Sequence, residues 1–235
     1  MPGKAICFML PAKTRGQDCT FLSMRRRLLL AVLAVVMLAS CSVDKGNSEE
    51  NTMSHNTNQD LEALFQTVCS ADDALELARK TNIPVFELQG CTSGNETWDT
   101  FFQTVNNGTP ASVLCADYYV LDKEHMSAEL YEEEKDKYPK LFFHLVEYDG
   151  TENSVKERES TVEAVDYQES FKYLLHFTGD APSSTALYSS YDNYVLVDDP
   201  TATWDGIMAG IVSSQFGAGY KHCTVYRNYL GWKGE

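Results

Sequence analysis

KLFFHLVEYDG, residues 140–150, is the stretch on which the fold turns. Apolar side chains fall on odd and even positions alike as far as Tyr148. A strand built from it is therefore covered on both faces, as in the middle of a sheet. Asp149-Gly150 then reads as a hairpin, because glycine adopts the positive φ that tight turns between antiparallel strands need. The partner strand is expected over 151–160.

Working outward, residues 111–121 read as a long strand, and the charged segment 127–137 (SAELYEEEKDK) as a surface helix ending before Pro139. Downstream, 162–170 and 171–177 continue the ladder, and 191–197 adds a strand that Asp198-Asp199-Pro200 breaks. Thr203 then caps a helix carrying Trp204, Ile207, Met208 and Ile211, and 221–229 is a terminal strand. Upstream, Leu61, Leu64, Phe65 and Val68 have helical spacing. Ser70 caps a second helix over 71–80 that turns Ala74, Leu75 and Ala78 inward. Residues 83–88 are extended, and Pro84, lacking an N–H, places that strand at a sheet edge. Over 95–105, Trp98, Phe101, Phe102 and Val105 recur at i, i+3, i+4 and i+7, a stripe read as core, and Asn107-Gly108 and Pro110 end the helix. Hairpin-joined strands with helices at the two ends of the order imply an α+β fold: one domain over 61–235 with a mainly antiparallel sheet and a few packed helices.

The N-terminal region has a different character. Residues 28–40 are 13 apolar or small residues behind Arg25-Arg26-Arg27, too short for a membrane-spanning helix, which takes about 20. A positive start, an apolar run and small residues make a secretion signal. Leu38-Ala39-Ser40-Cys41 resembles the lipobox of bacterial lipoproteins. That resemblance implies diacylglycerol on the Cys41 thiol and cleavage before it, with a membrane anchor through two acyl chains. Residues 24–40 are then the signal peptide, and 1–23 an upstream extension without signal organisation, translation starting at Met24. Residues 41–60 are the lipidated cysteine and a disordered tether, too poor in apolar side chains to offset the entropy of ordering.

After processing, residues 41–235 keep 13 of the 19 basic and 33 of the 34 acidic side chains, a net charge of −20. Such a surface repels nucleic acid and anionic headgroups. Cys69, Cys91, Cys115 and Cys223 remain, spaced by 22, 24 and 108 residues, with no CxxC to suggest zinc or a dithiol centre. Outside the cytoplasm they permit two disulfides, and buried free thiols fit the spacing equally. Cys69 with Cys91 is the first candidate bridge, since both lie at element ends.

No constellation amounts to a catalytic set. His222 and Cys223 are consecutive in a strand and point to opposite faces, so they do not pair as base and nucleophile. His144 and His176 sit in strands, where packed histidines are commoner than catalytic ones. Cys91-Thr-Ser-Gly94 before a helix resembles a redox loop with its second cysteine missing. Asp198, Asp199 and Asp205, and separately Asp117, Asp122 and Glu124, cluster at element ends without calcium-loop spacing, so capping accounts for them. GxSxG, HExxH and glycine-rich phosphate loops are absent from the sequence. Catalytic, cofactor and metal residues are accordingly assigned as none.

WDTFF at 98–102 with Asn107-Gly108, the YDG turn at 148–150, and YVLVDDPTATW at 194–204 resemble small uncharacterised lipoproteins of Gram-positive gut bacteria. The resemblance implies location and fold, and carries over no active-site residue. The expectation is an extracytoplasmic lipoprotein held at the outer face of the cell membrane. It acts as a non-enzymatic binding or accessory protein toward a protein or small-molecule partner. A cell-envelope hydrolase, or a structural or envelope-stress lipoprotein, are the alternatives.

Overall fold

The computed structural model describes residues 58–88, 90–213 and 219–233. The signal segment, the proposed start at Met24, Cys41 and the tether before residue 58 lie outside the described residues.

Two helices come first, α1 (Asn58–Phe65) and α2 (Ala71–Lys80). Helix α1 begins three residues before the expected domain start at Leu61, and Val68 falls beyond its end. Ser70 caps α2 as its residue type favours, its hydroxyl accepting from the Asp73 amide at 3.2 Å. A short hairpin follows, β1 (Val85–Glu87) and β2 (Gly90–Ser93), and then α3 (Asn95–Asn106). Gly94 starts α3 at φ 75°, and a Cβ there would lie 2.4 Å from the Ile83 carbonyl carbon, so this turn requires glycine. The strands β3 (Ala111–Tyr119), β4 (Lys140–Tyr148) and β5 (Asn153–Glu159) form an antiparallel meander, interrupted after β3 by α4 (Ala128–Glu134). The chain continues through β6 (Tyr167–Phe171), β7 (Tyr173–Asp180), β8 (Ser190–Val197), α5 (Trp204–Val212) and β9 (His222–Leu230).

Among the described residues nine strands join one sheet in the order β6-β5-β4-β3-β1-β2-β9-β8-β7, antiparallel except where β1 runs parallel to β3. The fold is thus α+β in a single domain, and KLFFHLVEY is an inner strand as its two apolar faces demand. Strands β6 and β7 stand at opposite ends of this order, yet only Lys172 separates them in the chain. Neighbouring Cα atoms are about 3.8 Å apart, so the two sheet ends must meet, and the sheet curls on itself. Lys221 fastens that seam: its ammonium lies 3.0 Å from Glu169 of β6, 3.3 Å from Asp198 after β8, and 4.6 Å over the Phe171 ring.

Curling gives the sheet an inside. Phe86, Val113, Cys115, Val146, Val155, Phe171, Leu196 and Tyr226 come from seven strands and share one buried cluster. Helix α3 inserts Trp98 and Phe101 into it, with the fully buried Trp98 ring 5.2 Å from Tyr194 and 5.0 Å from Tyr226. Outside, α1 and α2 cover Leu114, Ala116, Leu141, Phe143 and Leu145, and α5 covers Val195 and Val197 with Ile207.

Three expectations are corrected. Pro84 does not mark an edge: β1 lies between β3 and β2. The proline sits just before the paired residues, so its missing N–H costs the ladder nothing, and its carbonyl accepts from the Ala116 amide at 2.8 Å. Residues 162–170 and 171–177 are not consecutive rungs, because β6 pairs with β5 and β7 with β8. The segment around Cys91-Thr-Ser is a strand held by β1 and β9 rather than a loop. On α5, Met208 and Ile211 are exposed, and Ile207 is the buried anchor.

Candidate functional site

Strand periodicity alone places one polar group inside the curl. Cys115 and Asp117 alternate with Leu114 and Ala116 on β3, and Cys115 is paired with His144 on β4, which in turn is paired with Glu157 on β5. His144 Nε2 lies 2.8 Å from Asp117 Oδ2, and its Nδ1 lies 3.4 Å from Glu157 Oε2. From β9, across the interior, Arg227 brings Nη1 to 2.5 Å from Asp117 Oδ1 and sets its guanidinium 5.4 Å over the Phe86 ring. These approaches to Asp117 are close ion pairs lying off the hydrogen-bond axes, since Asp117 Oδ1 and His144 Nε2 have no well-aligned hydrogen-bond partner.

The electrostatics follow from that geometry. Burial pushes the Asp117 carboxyl up, but Arg227 and His144 outweigh it and bring it down to about 2. Burial pulls His144 down, and Asp117 and then Glu157 more than compensate, raising it above the ordinary histidine value. Burial likewise opposes the charge on Arg227, and Asp117 and Tyr119 raise it. Opposite charges thus face one another across the cluster, and with both imidazole nitrogens directed at carboxylates the protonated ring is favoured over the neutral one. The cluster ties β9 to the β3–β4–β5 meander.

Around it the nucleophiles are quiet. Burial raises the Cys223 thiol to about 12, with Glu157 and Asp117 adding to the shift. Burial also raises Cys91, to about 11, and raises Cys115 well above the ordinary thiol value. Thiols in this state are protonated at neutral pH, the opposite of an activated cysteine. The Cys69–Cys91 bridge is not made: among the described residues Cys69, Cys91, Cys115 and Cys223 are free. Cys69 packs in the outer layer against α1 and α2, whereas Cys91 packs against the inner cluster, with the sheet between them.

The remaining candidates fall into place singly. His176 Nε2 is 2.6 Å from Asp192 Oδ1, and its ring stacks on Tyr194 at 4.1 Å and 6° with Phe102 edge-on. This is an oriented, half-exposed imidazole whose neighbours are a carboxylate and aromatic rings, not a nucleophile. His222 turns to the Tyr220 carbonyl at 2.8 Å, while Cys223 packs against the inner cluster. Asp199 accepts from the Thr201 amide and hydroxyl in a tight turn, Asp198 holds Lys221, and Asp122 pairs with His125 at 2.7 Å. Asp117 belongs to the buried cluster and Asp205 to the first turn of α5, so capping, pairing and helix-end placement account for these carboxylates. Among the described residues no three His, Cys, Asp or Glu side chains converge as a metal site. Sequence reasoning singled out His144 but missed Asp117 and Glu157 as its partners, and Arg227 as the partner of Asp117. The available signal was a lone acid in VLCADYY and a lone base in CTVYRNY, opposite charges within apolar strands that need each other when buried. No protein-family model, curated protein or solved structure matches the chain.

Proposed function

We propose that this protein is a lipid-anchored, non-enzymatic binding or accessory protein working at the outer face of the cell membrane. The observation that carries the reading is Leu38-Ala39-Ser40-Cys41 behind three arginines and a short apolar run. Two acyl chains on Cys41 suffice for stable anchoring, and an acidic tether lifts the domain away from anionic headgroups. The folded part supports a binding role in two ways. Asp117, His144, Glu157 and Arg227 are engaged with one another, and the Cys91 and Cys223 thiols are held protonated by burial. Among the described residues, no helix is long and apolar enough to cross a membrane.

The test is intact-mass analysis of the membrane fraction of a bacterium expressing the full chain. The expected species is a diacylated chain beginning at Cys41, and Cys41→Ala should move the protein out of that fraction. An unmodified chain retaining Met1 overturns the anchor. Turnover of cell-wall glycan or peptide, abolished by one substitution, overturns the non-enzymatic role.

A further inference from the structure

We infer that the groove between the start of α2, the end of β3 and the α4 segment binds a small organic cation of the quaternary-ammonium class. The groove is open to solvent, holds about 310 Å³ and is lined by Tyr118, Tyr131 and Tyr138 with Asp72, Leu121 and Pro139. That volume suits a ligand of small-metabolite size. Three tyrosines line it, and the negative quadrupole of an aromatic ring attracts a diffuse cation such as trimethylammonium, while Asp72 supplies a formal negative charge.

The local structure holds these groups ready. The Tyr118 hydroxyl donates to Asp72 Oδ1 at 2.7 Å, which fixes the carboxylate at the groove wall without neutralising it. Residues 122–137 carry seven acidic side chains against three lysines, a net −4 around the site. Lys135 lines the groove, but its ammonium is taken by Glu132 at 2.5 Å. Lys123 sits 5.3 Å from the Tyr131 ring centroid, so that ring already engages a cation in this setting. The proposal goes beyond the anchored-protein reading and stands apart from it: a chain never lipidated would still bind.

The experiment titrates the purified full chain, in non-ionic detergent, with choline and with its neutral carbon isostere 3,3-dimethylbutan-1-ol, by saturation-transfer NMR on the methyl singlets. Choline is expected to saturate with a Kd of about 1 mM or tighter. The isostere, equal in shape but uncharged, should bind about tenfold more weakly. Asp72→Asn, an exposed and nearly isosteric change, should weaken choline several-fold, as should Tyr131→Ala. Tyr131→Phe keeps the ring and should retain binding, and Tyr188→Ala, beside Tyr229 of β9, should leave it unchanged. Equal affinity for the two probes, no saturable choline signal, or choline binding indifferent to both Asp72→Asn and Tyr131→Ala overturns the proposal.

Discussion

Asp117 and Arg227 meet inside the curl at 2.5 Å, the first from β3 and the second from β9, strands separated in the sheet by β1 and β2. Their contact crosses the interior, so it fastens the two halves of the curled sheet to each other. His144, 2.8 Å from the other Asp117 oxygen, adds a titratable third member.

This arrangement predicts a two-sided pH dependence of stability. Asp117 is depressed in the fold, to about 2, so its contribution is full above the ordinary aspartate value and is lost as pH falls through the folded value. That contribution is about 2 kcal/mol. His144 is raised in the fold, so its contribution is full below the ordinary histidine value and is lost as pH rises through the raised one. Urea midpoints measured from acid to mildly alkaline pH should therefore peak near the acid side of neutrality. His144→Gln should flatten the alkaline limb. Asp117→Asn, which strands a buried guanidinium, should cost about 3–5 kcal/mol near neutral pH. An alkaline limb identical in wild type and His144→Gln would reject the assignment.

Arg158 stands in a different relation to its surroundings, because it is fully buried yet its hydrogen bonds go to carbonyl oxygens. Its Nε donates to Phe65 O at 2.7 Å and Nη2 to Thr67 O at 2.6 Å, while Nη1 reaches Glu159 O at 3.1 Å and also Val162 O. The last carbonyls of α1 carry the negative end of the helix, so one guanidinium closes that end and pins it to the turn after β5. Arg158→Met keeps much of the volume and leaves these acceptors without donors. It should destabilise by about 3 kcal/mol or more in urea, and amide exchange in α1 should accelerate ahead of β3 and β4. Arg158→Lys should fall between, since an ammonium has fewer donors in a less suitable geometry. Protection in α1 unchanged by Arg158→Met would show that the helix does not depend on this contact.

How much of this was legible follows from range. Helix α2 with its Ser70 cap, α3 with its aromatic stripe, and the β4–β5 hairpin at Asp149-Gly150 are written in residues within a few positions of one another, and they fold as read. The curl is not local. Residues 167–180 look like continuous ladder, and only the distant partners β5 and β8 assign their two halves to opposite sheet ends. Strand β2 is made from small and polar residues, and its pairing with β1 and β9 makes it a strand. At the site, His144 was conspicuous as a histidine in an apolar strand. Arg227 could be assigned to Asp117 only after the interior had brought β9 across from β3.

The cysteines provide a test of that layered interior. Cys69 and Cys91 belong to layers on opposite faces of the sheet, and all four thiols are free and raised above their usual range, with burial the leading cause in each. At pH 8 a thiol at about 11, such as Cys91, is thiolate in only about one molecule in a thousand. Alkylation of the native chain should therefore be slow at Cys91 and Cys223, and slowest at the fully buried Cys115. In denaturant without reductant, all four should react promptly. Peptide mapping should then recover Cys69, Cys91, Cys115 and Cys223 each singly alkylated, and a cross-linked Cys69–Cys91 peptide would contradict their separation by the sheet.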